Sequence, residues 1–207
     1  GYDAMAANTT GAYCVAVGKG ALQANTTTDR NTAVGYESMM TNTGGSYNTS
    51  VGNYSLRLNT TGSYNTAIGD YALAANTTGQ QNCAVGGGGP LSANTTGSYN
   101  TAFGTAALDA ATTANNNTGI GYHALGANTT GDENTALGFN SLKTNTVGDR
   151  NVALGSWALY NMNPSSNADT YNTAIGYNAL GPTTTGTKNT AVGGDAMDAN
   201  STGANNC

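Results

Sequence analysis

The chain has 207 residues, of which 8% are charged, and its 30 Gly, 29 Asn and 34 Thr make up nearly half of it. With 6 Lys and Arg against 11 Asp and Glu, the net charge is −5, so no basic surface is expected for binding nucleic acid. No run approaches the ~18 apolar residues of a transmembrane helix, which argues against a membrane span. Asn, Thr and Gly favour strands and turns over helices, so an all-β fold is expected.

A repeat of 17 residues runs through the chain from end to end. The segment Asn31-Thr-Ala-Val-Gly-Tyr36 recurs with small changes, and Asn-Thr-Thr-Gly lies between the copies. Turns begin near residues 14, 31, 48, 65, 82, 100, 117, 134, 151, 172 and 189. Insertions near 86–90 and 160–171 break the period, and their Gly, Pro, Ser and Asn content predicts loops. Residues 1–207 are therefore predicted to form a single repeat array.

A unit of this length is too short for two packed helices and fits one turn of a parallel β-solenoid, or β-roll. About twelve turns in an elongated rod are expected. The chain starts and ends in mid-turn, at Gly1 and Cys207. We therefore expect it to continue into flanking sequence or to stack end to end into a filament, because uncapped strand edges recruit another chain.

Three positions of the unit hold one kind of residue in nearly every turn: a Val-like residue, a Leu or Met, and a Gly. An apolar column at a fixed period predicts an inward-facing stack, and a Gly column predicts a positive φ or a close backbone approach. The predicted core residues are Val17, Val34, Val51, Ile68, Leu22, Leu56 and Leu73. Because this core is thin, we also expect several chains to pack laterally on the neighbouring Ala and Ser columns.

A resemblance to known fibrous proteins is carried by the unit N-T-A-[VI]-G-Y-x-A-L and the N-T-T-G-S-Y that follows it. The unit is similar to repeats of phage tail fibres. It also resembles the V-A-I-G core strand in the heads of trimeric autotransporter adhesins, whose repeat is shorter. The resemblance implies a parallel β-roll, usually of three chains wound into a fibre, with a role in adhesion or spacing. No catalytic residue of these families maps onto this chain.

The sequence offers no group of residues suited to catalysis or metal binding. His123 is the only histidine and lies in a variable column, which predicts a surface position. No Cys and His residues have zinc-site spacing, and no G-K-[ST] follows Gly86–Gly89. We expect no enzyme activity, no catalytic or metal-binding residue and no cofactor. Cys14, Cys83 and Cys207 are expected to be free thiols, with links between chains as the alternative.

Two Asn columns run along the predicted rod. The first, Asn31 and its equivalents, precedes the strand and predicts a ladder of side-chain amides; Asn also tolerates a left-handed backbone conformation. The second lies in the Asn-Thr-Thr segments and forms N-x-[ST] acceptors for N-glycosylation. The candidate glycosylation sites are Asn8, Asn25, Asn59, Asn76, Asn94, Asn128 and Asn200. A filament core coated with N- or O-linked glycans on this column is therefore the alternative function.

Tyr2, Tyr36, Tyr122 and Tyr177 share one column of mixed composition. Another column mixes Tyr with charged residues, which predicts an exposed surface. The candidate contact residues in it are Tyr13, Tyr47, Tyr64, Tyr99 and Tyr171. Exposed Tyr beside Asn and Thr is suited to carbohydrate contacts, but it is also typical of an ordinary solenoid surface, which is the favoured interpretation. In the same column Glu133 and Arg150 lie one turn apart and predict a surface ion pair.

Together these observations favour a structural or adhesive fibre segment outside the cell, on a cell-surface appendage or a virion. The expected partners are other copies of the chain, in a homotrimer or an end-to-end filament, and carbohydrate bound weakly and multivalently. An ice-binding solenoid is less favoured. Thr26 and its equivalents form a column, but adjacent Thr residues of a strand point to opposite faces and do not make a two-column Thr surface.

Overall fold

Short parallel strands make up the regular structure of the chain. The computed structural model describes all 207 residues and contains thirteen β-strands and no helix. The strands are Val15–Val17 (β1), Thr32–Val34 (β2), Thr49–Val51 (β3), Thr66–Ile68 (β4), Cys83–Val85 (β5), Thr101–Phe103 (β6), Thr118–Ile120 (β7), Thr135–Leu137 (β8), Gly148–Asp149 (β9), Val152–Leu154 (β10), Ala168–Asp169 (β11), Thr173–Ile175 (β12) and Thr190–Val192 (β13). The predicted all-β parallel solenoid is confirmed.

Eleven of the strands form one parallel sheet in chain order, from β1 through β8 to β10, β12 and β13. Each strand pairs residue by residue with the strand of the next coil, as Val34 does with Val51. The register continues across both insertions, where Cys83 pairs with Thr101 and Val152 with Thr173. At about 4.8 Å between strands, eleven strands extend about 50 Å along the rod.

The two insertions differ from each other. Residues 86–90 only widen a turn, as predicted for a loop. Residues 160–171 instead contain β11, whose Ala168 and Asp169 pair in parallel with Gly148 and Asp149 of β9. The second insertion is therefore tied to the preceding coil by a small sheet of its own, which the sequence did not predict.

The strand residue that points into the core is not the predicted one. The middle residue of each three-residue strand faces the core, and Ala67 is fully buried there. The Val column points outward: Val17 is 55% exposed and Ile68 is 39% exposed, while Val34 and Val51 are half-buried. The prediction that Val17, Val34, Val51 and Ile68 are core residues is wrong.

The narrow interior of the coil explains this orientation. Leu22, Leu56 and Leu73 are fully buried, as predicted, and their column fills the interior. At Gly119, which replaces the inward Ala of one strand, an added Cβ would lie 3.3 Å from Cγ of Leu108. A Val or Ile at the inward position would overlap the Leu column, so the small residue turns in and the branched one turns out. The Ala and Ser columns are thus buried within one chain and offer no lateral packing surface.

The first Asn column forms the predicted amide ladder. The backbone N–H of Asn48 donates to Oδ1 of Asn31 at 3.0 Å, and that of Asn65 donates to Oδ1 of Asn48 at 2.9 Å. Nδ2 of Asn48 donates to the carbonyl oxygen of Gly62 at 2.9 Å. None of the Asn residues in this column has a positive φ, so the ladder does not use the tolerance of Asn for the left-handed conformation.

The second Asn column forms another ladder beside the first. Nδ2 of Asn59 donates to Oδ1 of Asn42 at 2.8 Å and to the carbonyl oxygen of Gly62 at 2.9 Å. Because Asn48 reaches the same carbonyl, Gly62 and its equivalents join the two ladders. An unpaired buried polar group costs about 1–3 kcal/mol, and the ladders avoid this cost in most coils.

Positive φ angles mark the corners of each coil. Leu56 in the Leu column has a φ of 49° and Tyr64 in the Tyr column a φ of 60°, and their N–H groups donate to carbonyls of neighbouring coils. Gly52, just after a strand, has a φ of 141°, and an added Cβ would lie 2.3 Å from the carbonyl oxygen of Gly69 in the next coil. Both reasons predicted for the Gly column therefore apply.

Two neighbouring residues of β4 test which side of the strand faces the core. Ala67→Asp should lower the free energy of unfolding by several kcal/mol, because it buries a charge without a partner. Ile68→Asp should lower it by only about 1 kcal/mol, because the side chain reaches solvent. Urea unfolding of dilute protein measures both. A larger loss for Ile68→Asp than for Ala67→Asp would contradict the observed orientation.

The second ladder is interrupted at Ala111, Met162 and Thr183, and the first of these interruptions leaves a ladder atom unpaired. Ala111 stands at the Asn position between Asn94 and Asn128, and Oδ1 of Asn94 is buried without a partner. In the same coil Ala114 replaces the Gly that joins the ladders. A side chain at the joining position occurs beside a ladder Asn in one coil, where the hydroxyl group of Thr28 pairs with Oδ1 of Asn25. The coils that have Gly at this position are tightly packed there. A Cβ added at the joining Gly would lie about 2.5 Å from the ladder oxygen of its own coil, as it does at Gly62.

A double-mutant cycle at these two positions tests the ladder. Ala111→Asn combined with Ala114→Gly should restore the missing rung and raise the free energy of unfolding by about 1 kcal/mol or more. Ala111→Asn alone should not, because the Cβ of Ala114 crowds the new amide oxygen. Urea unfolding gives the coupling energy. Equal stability of the single and double variants would show that the ladder geometry is not as described.

Candidate functional site

The predicted Tyr column lies on an exposed corner of the coils. The exposed fractions of its five Tyr side chains range from 44% at Tyr47 to 80% at Tyr13. The rings of Tyr47 and Tyr64 are stacked, with centroids 4.8 Å apart and planes at 9°. Cζ of Arg30 lies 5.3 Å and 5.2 Å from the ring centroids of Tyr13 and Tyr47. In this part of the column, ring faces are turned toward neighbouring side chains. The exposed members of the column, as predicted, are Tyr13, Tyr47, Tyr64, Tyr99 and Tyr171.

The predicted ion pair on this corner is present. Nε of Arg150 lies 2.8 Å from Oε2 of Glu133, and Nη1 of Arg150 also pairs with Asp169 of β11. The hydrogen bond to Glu133 is the main cause of the raised pKa of the Arg150 guanidinium. Exposed pairs of this kind add little stability. Their position indicates that they orient the second insertion against the rod.

Most of the predicted N-glycosylation sites are buried in the folded chain. Nδ2 of Asn59 uses both of its hydrogens, one for Asn42 and one for Gly62. A sugar attached there would remove one of these bonds and would need space inside the coil. The fully buried sites, for which the prediction is wrong, are Asn25, Asn59, Asn76, Asn94 and Asn128. Asn8 and Asn200 are half-buried in outer coils. The second Thr of each segment, such as Thr78, is exposed, so an O-linked coat stays a prediction.

The Thr column considered for ice binding turns its hydroxyl groups toward the backbone. The hydroxyl of Thr60 donates to the carbonyl oxygen of Thr77 at 3.0 Å, and that of Thr129 donates to the carbonyl oxygen of Thr146 at 2.9 Å. Hydroxyls bonded in this way hold adjacent coils together. They are not free to order water at an ice surface, so this column gives no support to the ice-binding alternative.

The outward side of the eleven-stranded sheet is a continuous uncharged surface. We call it the outer sheet face; it consists of the first and third residues of each strand, Thr32 and Val34 in β2 for example. No charged residue occurs at these positions in any of the eleven strands. Apolar side chains on it are well exposed, including Phe103 at 56%, Leu137 at 45% and Val192 at 68%. A long exposed apolar surface of this kind is typical of interaction sites.

A second exposed corner, which follows the Gly column, collects most of the aromatic side chains. We call it the aromatic ridge; it contains nine of the chain's 15 aromatic residues. Tyr36 and Tyr54 meet at 5.3 Å and Tyr54 and Tyr71 at 5.0 Å, with planes at 89° and 41°. The members of the aromatic ridge are Tyr2, Tyr36, Tyr54, Tyr71, Tyr122, Phe139, Trp157, Tyr160 and Tyr177.

Sequence reasoning found only the part of this ridge formed by Tyr2, Tyr36, Tyr122 and Tyr177, because the other members occupy different positions of the repeat. Tyr36 follows the Gly directly, Tyr54 lies one position later, and Tyr160 lies three positions after Trp157. His123, predicted as an isolated surface residue, is half-buried and packs edge to face with Tyr122 at 4.3 Å. The sequence does show that aromatic residues are excluded from the Val and Leu columns, with Phe103 as the one exception. This exclusion indicates that the aromatic side chains lie outside the core.

The three cysteines are far apart and free. Cys14 and Cys83 are half-buried and Cys207 is exposed, and burial raises the pKa of the Cys83 thiol. Cys83 stands at a Thr position of the outer sheet face. No three His, Cys, Asp or Glu side chains cluster as they would around a metal ion.

Comparisons with known proteins do not assign the chain to a family. The chain matches no protein-family model, no curated protein and no solved structure. No helix in the structure has the length and apolar character needed to cross a membrane.

Proposed function

We propose that the chain is a non-catalytic structural rod that forms part of an extracellular fibre on a cell-surface appendage or a virion. The rod associates with other copies of itself and presents exposed corners for adhesion. The proposal is supported by a fold in which hydrogen bonds run mainly along one axis, through the sheet and two Asn ladders. A segment of this kind separates its ends by a fixed distance and repeats the same surface at each coil.

The observation that carries the proposal is the outer sheet face. Its apolar side chains vary among Val, Ile, Leu and Phe but are not replaced by polar ones in the third strand position. A surface selected only for solubility has no reason to keep such a column apolar over eleven strands. A second copy of the chain has the same axial step, so its coils meet the face at every level. Lateral self-association therefore uses the outer sheet face and not the Ala and Ser columns.

Charge placed on this face tests the self-association. Ile68→Lys combined with Leu137→Lys should convert the assembly to the 20.6 kDa monomer, because like charges would be buried at the contact without partners. Thr78→Lys combined with Thr130→Lys adds the same charge to another exposed surface and should leave the assembly intact. Sedimentation velocity over a wide concentration range measures all three proteins. A wild-type chain that stays monomeric throughout would overturn the proposal, as would equal behaviour of the two double variants.

A further inference from the structure

One stretch of the aromatic ridge differs from the rest of the rod. Within three successive coils it holds the chain's only histidine and its only tryptophan, and four aromatic rings follow one another there. Tyr122 and Phe139 lie 5.4 Å apart, Phe139 and Trp157 5.8 Å apart, and Trp157 and Tyr160 4.5 Å apart between centroids. None of these rings belongs to the buried core, so folding does not require them.

The ring planes in this stretch leave aromatic surface for a ligand. Trp157 is tilted by 56° to Phe139 and by 52° to Tyr160, so its neighbours do not cover its face as a parallel stack would. Tyr122 and Phe139 are stacked at 11°, much as Tyr47 and Tyr64 are at 9° on the Tyr column, so the tilted ring faces of this stretch are those of the half-buried Trp157 and Tyr160. An exposed ring face is negative and attracts the weakly positive C–H groups of a sugar ring.

Polar groups flank the rings on the same stretch. Nζ of Lys143 lies 5.9 Å from the centroid of the Tyr160 ring. Asp109 lies near His123, because Nδ1 of His123 and Oδ1 of Asp109 come within 3.2 Å and 3.4 Å of the place that a Cβ on Gly126 would take. Burial raises the pKa of the Asp109 carboxyl group. Lys143 and Asp109 carry opposite charges and give a donor and an acceptor for hydroxyl groups, so the stretch does not select a strongly charged ligand.

The shape of the surface selects a long ligand over a small one. Sites for small molecules are concave and bury most of the ligand, whereas no pocket is present on this rod. The four rings follow the rod axis over three successive coils, with Trp157 and Tyr160 in the same coil. A chain of sugar units lying along that axis can contact several rings at once, and weak contacts add through multivalency.

From these observations we infer that Tyr122, Phe139, Trp157 and Tyr160 form a binding strip for an extended, uncharged β-1,4-linked glycan chain. Trp157 and Tyr160 contact the apolar faces of the sugar rings. The ammonium group of Lys143 donates hydrogen bonds to the sugar hydroxyl groups, and the carboxylate of Asp109 accepts hydrogen bonds from them. This site deepens the adhesive part of the proposed function and is independent of the outer sheet face. It also moves the predicted carbohydrate contact from the Tyr column to the ridge.

Intrinsic fluorescence gives a direct test, because Trp157 is the only tryptophan. Cellohexaose and chitohexaose are the probes, and maltohexaose, whose α-linked chain coils, is the comparison. At least one β-1,4-linked probe should change the Trp157 emission saturably, while maltohexaose should not. No change with either β-1,4-linked probe would overturn the site, and equal binding of maltohexaose would overturn the extended-chain specificity.

A matched pair of double variants locates the binding. Tyr122→Ala with Phe139→Ala should weaken binding about tenfold or more through lost aromatic contact, whereas Tyr47→Ala with Tyr64→Ala should leave it unchanged. Phe139→Tyr keeps the ring and should bind like the wild type. Thermal unfolding confirms that each variant is folded; the substituted side chains are well exposed. Unchanged affinity in the ridge double variant would overturn the proposal. The titrations are repeated in the Ile68→Lys, Leu137→Lys background, so the outcome does not depend on self-association.

Discussion

The structure depends on one constraint: each coil must hydrogen-bond to the next at the separation of two β-strands. Equivalent side chains 17 residues apart are then stacked directly on each other. A column of identical Asn residues can satisfy this arrangement, because each amide has both a donor and an acceptor and passes one bond to the next coil. A column of like charges could not, which agrees with the low charge of the chain.

The same constraint sets the size of the residue at each inward position. The coil is only wide enough for one Leu column, and the strand across from it approaches within contact distance of the Leu side chains. Ala and Ser fit between them, and larger residues are displaced to the outside. The interior is therefore filled by Leu, Ala and paired Asn side chains, and every aromatic residue is left on the outside.

Sequence periodicity was sufficient to predict the solenoid, the buried Leu column, the amide ladder and the exposed Tyr column. It could not decide which side of a three-residue strand faces inward, because alternation in Thr-Ala-Val allows either choice. Apolarity favoured Val34 and Val51, whereas the available space favours Ala33. The N-x-[ST] pattern failed for a related reason: it describes local sequence, while burial of Asn59 depends on the coils above and below it. Only one Tyr column of the aromatic ridge could be identified from the sequence, because its other rings come from several positions of the repeat.

Distances between coils test the central claim of regular stacking most directly. Spin labels on cysteines introduced at Thr27, Thr61 and Thr130 in pairs, with the three native cysteines replaced by Ser, lie on one exposed column. Thr27 and Thr130 are six coils apart and Thr61 and Thr130 four, so the account predicts separations of about 29 Å and about 19 Å at one strand spacing per coil. Pulsed electron–electron double resonance measures both. Two separations that do not scale with the number of coils would contradict the stacked arrangement.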